Sequence, residues 1–242
     1  MSKMVNLTID GRKLQAEEGQ TVLVVARDNG IEIPSLCYHE EVEPYGACRL
    51  CLVEVTKGTR TRLVASCLYP IEEGLVVKTN TDRVVANRKM LMELLLARCQ
   101  GVKAVEDMAK KLGVDRPPFK PEYWEKNGCI LCGLCVRACA EVVGTSAISL
   151  VNRGVNREVA APFLETANDC IGCGSCVYIC PTDFIKMEET GDTRTIVNWK
   201  ATFKMQRCQK CGKNFAPVKQ LEYFRKKLNL PEGFFDVCPD CR

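Results

Sequence analysis

The chain has 242 residues, 46% of them hydrophobic and 26% charged, an ordinary balance for a globular protein. Seventeen cysteines are far more than usual, and the formal charge is only +4. The N-terminus shows no apolar signal segment, and no run reaches the roughly 18 apolar residues that a membrane span needs. We therefore expect a cytoplasmic chain without membrane insertion, in which clustered cysteines bind metal rather than form disulfides.

The net positive charge does not indicate nucleic-acid binding. Thiolates that hold a metal would leave each four-cysteine site with a charge of roughly −2. Lys and Arg are also scattered along the chain instead of forming a basic patch with aromatic residues. No nucleic-acid partner is expected.

Residues 1–80 predict a small β-rich domain. Asp10-Gly11 is a strong two-residue hairpin signal, and Thr21 can cap a short helix that Gly30 ends. Strands are predicted around these signals at residues 5–9, 13–16, 50–55, 62–66 and 75–79. A hairpin, a helix and then further strands are compatible with a β-grasp fold.

Residues 81–126 predict a helical spacer. An amphipathic helix is expected over residues 81–99, and a second over 102–112, before Pro117-Pro118. The apolar positions of the first helix alternate with Arg and Lys: Val84, Val85, Leu91, Leu94 and Leu95.

Residues 127–190 contain an internal repeat. The spacing C-x2-C-x2-C-x3-C occurs twice and is the bacterial ferredoxin pattern, in which the fourth cysteine binds the other cluster. Two zinc sites fit this pattern poorly, because zinc knuckles rarely use three evenly spaced cysteines followed by a fourth. One [4Fe–4S] cluster is therefore assigned to Cys129, Cys132, Cys135 and Cys180. The second is assigned to Cys170, Cys173, Cys176 and Cys139.

A different spacing, C-x10-C-x2-C-x15-C, occurs in the first predicted domain. Its members are Cys37, Cys48, Cys51 and Cys67. Four cysteines in a β-grasp domain suggest a [2Fe–2S] ferredoxin. The spacing differs from the plant-type C-x4-C-x2-C pattern, so spacing alone leaves zinc as an alternative.

Residues 191–242 predict a C-terminal module that follows a polar link at residues 191–198. Two cysteine pairs enclose a basic amphipathic helix expected at residues 218–228. Such pairs form the tetrahedral thiolate site of a zinc ribbon or of a rubredoxin. We expect a structural zinc ion, with a mononuclear redox iron as the alternative, held by Cys208, Cys211, Cys238 and Cys241.

Two segments carry a resemblance to a known family: PSLCYH at residues 34–39 and GACRLCLVEV at residues 46–55. They resemble the diaphorase-type iron–sulfur subunit of NAD(P)-linked, bidirectional or bifurcating hydrogenases. That subunit is related to the N-terminal parts of the complex I large iron–sulfur subunit and of iron-only hydrogenases. The resemblance covers roughly residues 1–190 and implies a [2Fe–2S] cluster at the first site.

The expected fold is therefore α+β. It comprises a β-grasp [2Fe–2S] domain (1–80), a helical spacer (81–126), a bacterial-type two-[4Fe–4S] domain (127–190) and a zinc-ribbon-like or rubredoxin-like module (191–242).

The chain departs from many of these relatives in the spacer. They carry an additional [4Fe–4S] cluster with one His and three Cys ligands, whereas this chain has one histidine, His39, and only Cys99 between Cys67 and Cys129. That cluster cannot form here. We expect His39 to be a local hydrogen-bonding or surface residue and Cys99 to be a buried helix residue.

No catalytic residues are expected. The sequence has no glycine-rich nucleotide-binding loop, and a Ser-His-Asp triad would have to use the lone histidine. The prediction is an electron-transfer subunit of an NAD(P)-linked oxidoreductase. The resemblance implies two partners: a flavin- and NAD(P)H-binding subunit, and a catalytic subunit such as a hydrogenase or formate dehydrogenase. The alternative is an iron–sulfur redox sensor or scaffold without a catalytic partner.

Overall fold

The computed structural model describes residues 3–116 and 128–242. The chain divides into two compact units, Met1–Cys132 and Gly133–Arg242. The Pro117-Pro118 stop signal and the predicted 126/127 boundary lie outside the described residues. The predicted domain boundaries stay predictions.

The first unit contains a five-stranded mixed sheet. Its strands are β1 (Met4–Ile9), β2 (Arg12–Glu17), β3 (Leu52–Lys57), β4 (Arg60–Ala65) and β5 (Leu75–Lys78). The strand order is β2-β1-β5-β3-β4, with β1 and β5 parallel and the other pairs antiparallel. A hairpin, a helix and a return strand beside β1 form the β-grasp arrangement that the element order predicted.

The predicted hairpin turn at Asp10-Gly11 is confirmed. Both residues have positive φ, 48° and 81°, as a two-residue turn between right-twisted strands requires. The Asp10 carboxylate also accepts hydrogen bonds from the backbone N–H and the hydroxyl of Thr79, at 2.7 and 2.5 Å. The turn is thereby joined to the end of β5.

Helix α1 (Val22–Asp28) packs on one face of this sheet. Thr21 caps it by accepting a hydrogen bond from the Val24 N–H, and Gly30 follows in a left-handed conformation. The helix contributes four buried residues to a core that it shares with alternate residues of the strands: Val22, Leu23, Val25, Ala26, Val5, Leu7, Ile9, Val53, Val55, Leu75 and Val77.

Two further helices follow, α2 (Asp82–Arg98) and α3 (Lys103–Lys111), close to the predicted bounds. The predicted apolar face of α2 is right at Val84 but wrong at Leu94. Its buried residues are Val84, Arg88, Met92 and Leu96, whereas Leu94 is 50% exposed. The buried row follows the i, i+4 spacing of a helix surface, and a charged residue occupies one of its positions.

The second unit begins with short helical turns and a two-stranded ladder. These elements are α4 (Leu134–Arg137), a π-helical turn (Ala138–Val143), β6 (Ser149–Val151), β7 (Glu158–Ala160) and α5 (Ser175–Tyr178). A four-stranded antiparallel meander then follows, in the order β11-β10-β9-β8. Its strands are β8 (Met187–Thr190), β9 (Thr193–Ile196), β10 (Ala201–Arg207) and β11 (Asn214–Pro217), and α6 (Val218–Lys227) comes next.

The segment predicted as a polar link, residues 191–198, is a different structure. It contains β9, an interior strand paired with β8 on one side and β10 on the other. The prediction of a link was wrong because it rested on the polar residues of this segment, and an antiparallel strand can also carry polar residues on a solvated face. Ile196, Trp199, Ala201 and Phe203 point into the same core as Cys176.

Among the helices in ranges 3–116 and 128–242, none combines the length and the apolar character of a membrane span.

We expect hydrogen–deuterium exchange, followed by mass spectrometry, to show β9 as protected sheet. Peptides over residues 193–196 should exchange roughly a hundredfold more slowly than unprotected chain, because an interior strand opens only with its neighbours. The adjacent turn, Gly191-Asp192, is the internal comparison. Exchange of residues 193–196 at the rate of that turn would contradict the sheet assignment.

Candidate iron–sulfur and metal centres

The first cysteine set lies at one end of the β-grasp sheet, and all four of its side chains are buried. Cys51 precedes β3 and Cys67 follows β4 by two residues. The β3–β4 ladder pairs Leu52 with Ala65 and so brings the two cysteines together. Their sulfurs lie 3.4 Å apart.

The other two cysteines of this set lie in the loop between α1 and β3. The N–H of Cys48 donates to the sulfur of Cys37, and the N–H of Leu36 donates to the sulfur of Cys48, both at 3.4 Å. Side-chain hydrogen bonding to Cys37 also raises the pKa of the Cys48 thiol. The four cysteines therefore form two neighbouring pairs, Cys37 with Cys48 and Cys51 with Cys67. A [2Fe–2S] cluster takes two thiolates at each of its two irons, so this arrangement fits that cluster.

The electrostatics of the Cys51–Cys67 pair favour one thiolate. The Cys67 thiol beside it lowers the pKa of Cys51 to about 6, although burial acts in the opposite direction. The same pairing, together with burial, raises the pKa of Cys67. An added positive charge, such as iron, is what would allow both sulfurs to be thiolates.

His39 lies two residues after Cys37 and is exposed. Its Nδ1 accepts a hydrogen bond from the N–H of Glu41 at 3.2 Å. The expected local hydrogen-bonding role is confirmed. Cys99 is completely buried at the end of α2, as expected.

The second ferredoxin set lies in the second unit, where its four cysteines line one cavity. The cavity walls include Ile148, Ile171, Ile196 and Trp199, and the sulfur-bearing residues are Cys139, Cys170, Cys173 and Cys176. Four thiols around one apolar space fit a [4Fe–4S] cluster, which binds four thiolates.

Hydrogen-bond donors surround these sulfurs. The N–H of Ala147 donates to Cys139 and that of Gly172 to Cys170, at 3.3 and 3.4 Å. The indole Nε1–H of Trp199 donates to the Cys176 sulfur at 3.4 Å. Burial raises the pKa of Cys176 to about 12, and the indole N–H opposes that shift. Such donors stabilise negative charge on sulfur.

Gly172 is required by its surroundings. It has a φ of 73°, and a Cβ at this position would lie 2.6 Å from the Phe203 ring of β10. Arg194 of β9 donates to the Gly172 carbonyl at 3.1 Å and forms an ion pair with Glu189. The C-terminal meander therefore forms the outer wall of this cysteine loop.

The remaining ferredoxin cysteines belong to different units. Cys129 and Cys132 lie in the first unit, and Cys135 and Cys180 in the second. Cys135 is buried in α4, and the Cys180 sulfur lies 3.5 Å from the Thr182 hydroxyl. Their assignment to one cluster stays a prediction from spacing.

The C-terminal set is compact. The sulfurs of Cys208, Cys211, Cys238 and Cys241 all lie within 4.8 Å of one another. The Cys211 and Cys238 sulfurs are 3.8 Å apart, which is about the separation of two ligands at roughly 2.3 Å from a tetrahedral zinc ion. Backbone N–H groups of Cys211 and Cys238 donate to the Cys208 sulfur and lower the pKa of that thiol to about 6.

This compactness separates two kinds of site. In ranges 3–116 and 128–242, no other three His, Cys, Asp or Glu ligand atoms come within 4.8 Å of one another. A mononuclear ion needs such closeness, whereas a cluster with several irons holds its thiolates further apart. The C-terminal set therefore fits a single ion.

Sequence reasoning missed the residues that contact these cysteines from elsewhere in the chain. Trp199 and Arg194 lie in the segment assigned to the link and the C-terminal module, more than 15 residues from the nearest cysteine of their cavity in sequence. No local spacing signals such contacts. Only the fold of the meander brings them to the cysteine loop.

Comparison with known protein families agrees with the presence of iron–sulfur sites. Residues 2–82 match the 2Fe-2S iron-sulfur cluster binding domain family. Residues 124–187 match one 4Fe-4S dicluster domain family, and residues 169–215 match a second. Together these matches contain all twelve cysteines that the sequence assigns to the three clusters.

Curated relatives include an NADH-quinone oxidoreductase subunit of Rhizobium meliloti, 36% identical over 64% of this chain and 21% of that protein. Another is the mitochondrial 78 kDa subunit of the Neurospora crassa NADH-ubiquinone oxidoreductase, 33% identical over 73% of this chain and 27% of that protein. The chain thus spans less than a third of the length of these relatives.

Among solved structures, a chain of an NAD+-reducing [NiFe]-hydrogenase in the H2-reduced state matches with a TM-score of 0.59. The identity is 31%, and the match covers 65% of this chain and 75% of that chain. The chain therefore belongs to the family of diaphorase-type iron–sulfur subunits that is related to the iron–sulfur subunits of NADH-quinone oxidoreductases.

Proposed function

We propose that this chain is the electron-transfer subunit of an NAD(P)-linked oxidoreductase and carries one [2Fe–2S] and two [4Fe–4S] clusters. The observation that carries this proposal is the arrangement of the cysteines. One set forms two buried sulfur pairs, and another surrounds a single apolar cavity. Iron–sulfur clusters accept and release single electrons.

The ligand assignment follows the three sets. The [2Fe–2S] cluster takes Cys37, Cys48, Cys51 and Cys67. One [4Fe–4S] cluster takes Cys139, Cys170, Cys173 and Cys176, and the other takes Cys129, Cys132, Cys135 and Cys180. The protein supplies N–H donors and apolar walls, which tune reduction potentials and keep water from the sulfurs.

We expect two partner subunits, because the relatives are named for their reaction with NADH. NADH gives up a hydride, which carries two electrons at once, whereas each cluster takes one. A flavin-containing partner that binds NAD(P)H would divide the pair into single electrons. A catalytic partner, such as a hydrogenase or a formate dehydrogenase, would stand at the other end of the relay.

The C-terminal set holds a structural zinc ion in this proposal. Its sulfur spacing and backbone N–H donors suit a zinc knuckle pair, and the set closes the loop between β10 and the C-terminus. Helix α6 extends from that module to the cluster domain, where Tyr223 and Lys227 donate to the Val143 carbonyl at 3.0 and 3.2 Å. A metal here would brace the wall of the adjacent cluster cavity.

Metal analysis tests the proposal as a whole. Anaerobically purified protein should contain about ten iron, about ten sulfide and about one zinc per chain, and the reduced protein should give EPR signals of both cluster types. An extra iron without zinc would make the C-terminal set a redox centre. Iron near eight with two zincs would remove the [2Fe–2S] assignment.

Replacing Trp199 by Phe should lower the reduction potential of the [4Fe–4S] cluster at Cys176. The indole N–H stabilises the more negative, reduced state, and a hydrogen bond of about 1 kcal/mol corresponds to roughly 40 mV for one electron. EPR-monitored redox titration measures the shift. The control is Phe203→Leu, which alters the same wall without removing a donor to sulfur, and equal shifts in both variants would contradict the hydrogen-bond role.

Replacing Cys238 by Ser should abolish zinc binding, because only three thiolates remain. Iron and sulfide should stay at the wild-type values, and limited proteolysis should cut residues 205–242 much faster. The control is Cys99→Ala, a buried cysteine outside all four sets, which should change no metal content. Loss of iron with retention of zinc in the Cys238 variant would contradict the assignment.

A further inference from the structure

Arg88 is an anomaly in the first unit. It belongs to the buried row of α2, between Val84 and Met92, and only 5% of its surface is exposed. An arginine is almost never fully buried unless it is paired with an anion. The row is otherwise apolar, so a leucine or methionine would pack there at no electrostatic cost.

The hydrogen bonds of Arg88 leave its charge uncompensated. One guanidinium nitrogen, Nη2, donates to the carbonyl of Leu52 at 2.7 Å, and Nε is buried without a hydrogen-bond partner. Within residues 3–116 and 128–242, no ion pair within 4.0 Å includes Arg88. A neutral carbonyl cannot balance a buried positive charge.

Two groups that can carry negative charge act on Arg88. Burial lowers the pKa of Arg88, while Cys51 and, to a smaller extent, Asp10 act in the opposite direction. The Asp10 carboxylate is already bonded to the backbone N–H and hydroxyl of Thr79. Cys51 is the residue next to Leu52, whose carbonyl receives the guanidinium. The Arg88 side chain is thus held beside the first cysteine set.

We infer that Arg88 is the built-in counter-charge of the [2Fe–2S] cluster and sets its reduction potential. The inference rests on the proposed function, since it takes that cluster as the anion. Four thiolates around two irons and two sulfides leave a charge of about −2, which reduction makes about −3. A fixed positive charge in a low-dielectric interior stabilises the reduced state more than the oxidised state. Arg88 therefore raises the potential.

Three substitutions separate charge from structure, all in the full chain purified with its clusters. Arg88→Gln removes the charge and keeps an N–H donor for the Leu52 carbonyl, Arg88→Met removes both, and Arg88→Lys keeps the charge. The matched control is Arg83→Gln on the same helix. Its charge change is the same, but Arg83 is 59% exposed and paired with Glu54 at 3.7 Å, so water screens it.

EPR-monitored redox titration of the [2Fe–2S] signal is the measurement. We expect the potential to shift negative in Arg88→Gln and Arg88→Met, by several times the shift in Arg83→Gln, and to stay near wild type in Arg88→Lys. Unchanged potentials in the neutral variants would overturn the inference. Equal shifts in Lys, Gln and Met would also overturn it, because the effect would then follow shape rather than charge.

Loss of the cluster is also informative. If both neutral variants lose the [2Fe–2S] signal and Arg88→Lys retains it, cluster retention follows the charge and the inference stands. If Arg88→Lys loses it as well, Arg88 has only a structural role and the inference fails. A wild-type protein without a [2Fe–2S] signal, or with zinc in its place, would instead refute the proposed function.

Discussion

The structure depends on collecting cysteine sulfurs that must carry negative charge inside a protein of low dielectric constant. In each set, the local backbone brings the cysteines together and directs hydrogen-bond donors at their sulfurs. Strand ends bring Cys51 and Cys67 together, and backbone N–H groups point at the sulfurs of Cys48, Cys170 and Cys208. These donors stabilise thiolates without adding formal charge. The formal charge of +4 counts only Lys, Arg, Asp and Glu. It therefore omits the cysteine thiolates, which have the largest local electrostatic effect.

In the second unit, the C-terminal module also supplies a hydrogen-bond donor and apolar cover to the cysteine sulfurs. Trp199 donates to a cysteine sulfur, and Phe203 covers the loop at Gly172 so closely that a methyl group has no room. Helix α6 donates from Tyr223 and Lys227 to the backbone at Val143, which follows Cys139 by four residues, and Lys219 donates to the carbonyl of Asn168, two residues before Cys170. Two lysines of this helix thus donate hydrogen bonds to carbonyls of the cluster domain. The module that carries the four-cysteine group thus also contributes Ile196 and Trp199 to the wall of the adjacent cavity.

Much of this could be predicted from the sequence because the signals are local. The spacing of the ferredoxin repeats restricts which cysteines can share a cluster, and Cys139 does lie with Cys170, Cys173 and Cys176 around one cavity. The Asp10-Gly11 turn and the Thr21 cap depend only on neighbouring residues, and both were found where predicted. The order of elements was enough to suggest the β-grasp sheet, since few topologies follow a hairpin with a helix and return strands.

The two wrong predictions, the link at residues 191–198 and the exposed side of α2, have the same cause. In both, polar residues were assumed to be exposed. The polar residues of 191–198 belong to a strand with one solvated face, and Arg194 there is turned inward to a cysteine loop. In α2 the same reasoning placed the arginines outside and Leu94 inside, whereas Arg88 is buried and Leu94 is half exposed. A hydrophobic pattern assumes an apolar interior. Where the interior contains anionic sulfur, a buried arginine or indole N–H lowers the energy. Arg88, Arg194 and Trp199 accordingly contact a cysteine sulfur or a backbone carbonyl one or two residues from a cysteine.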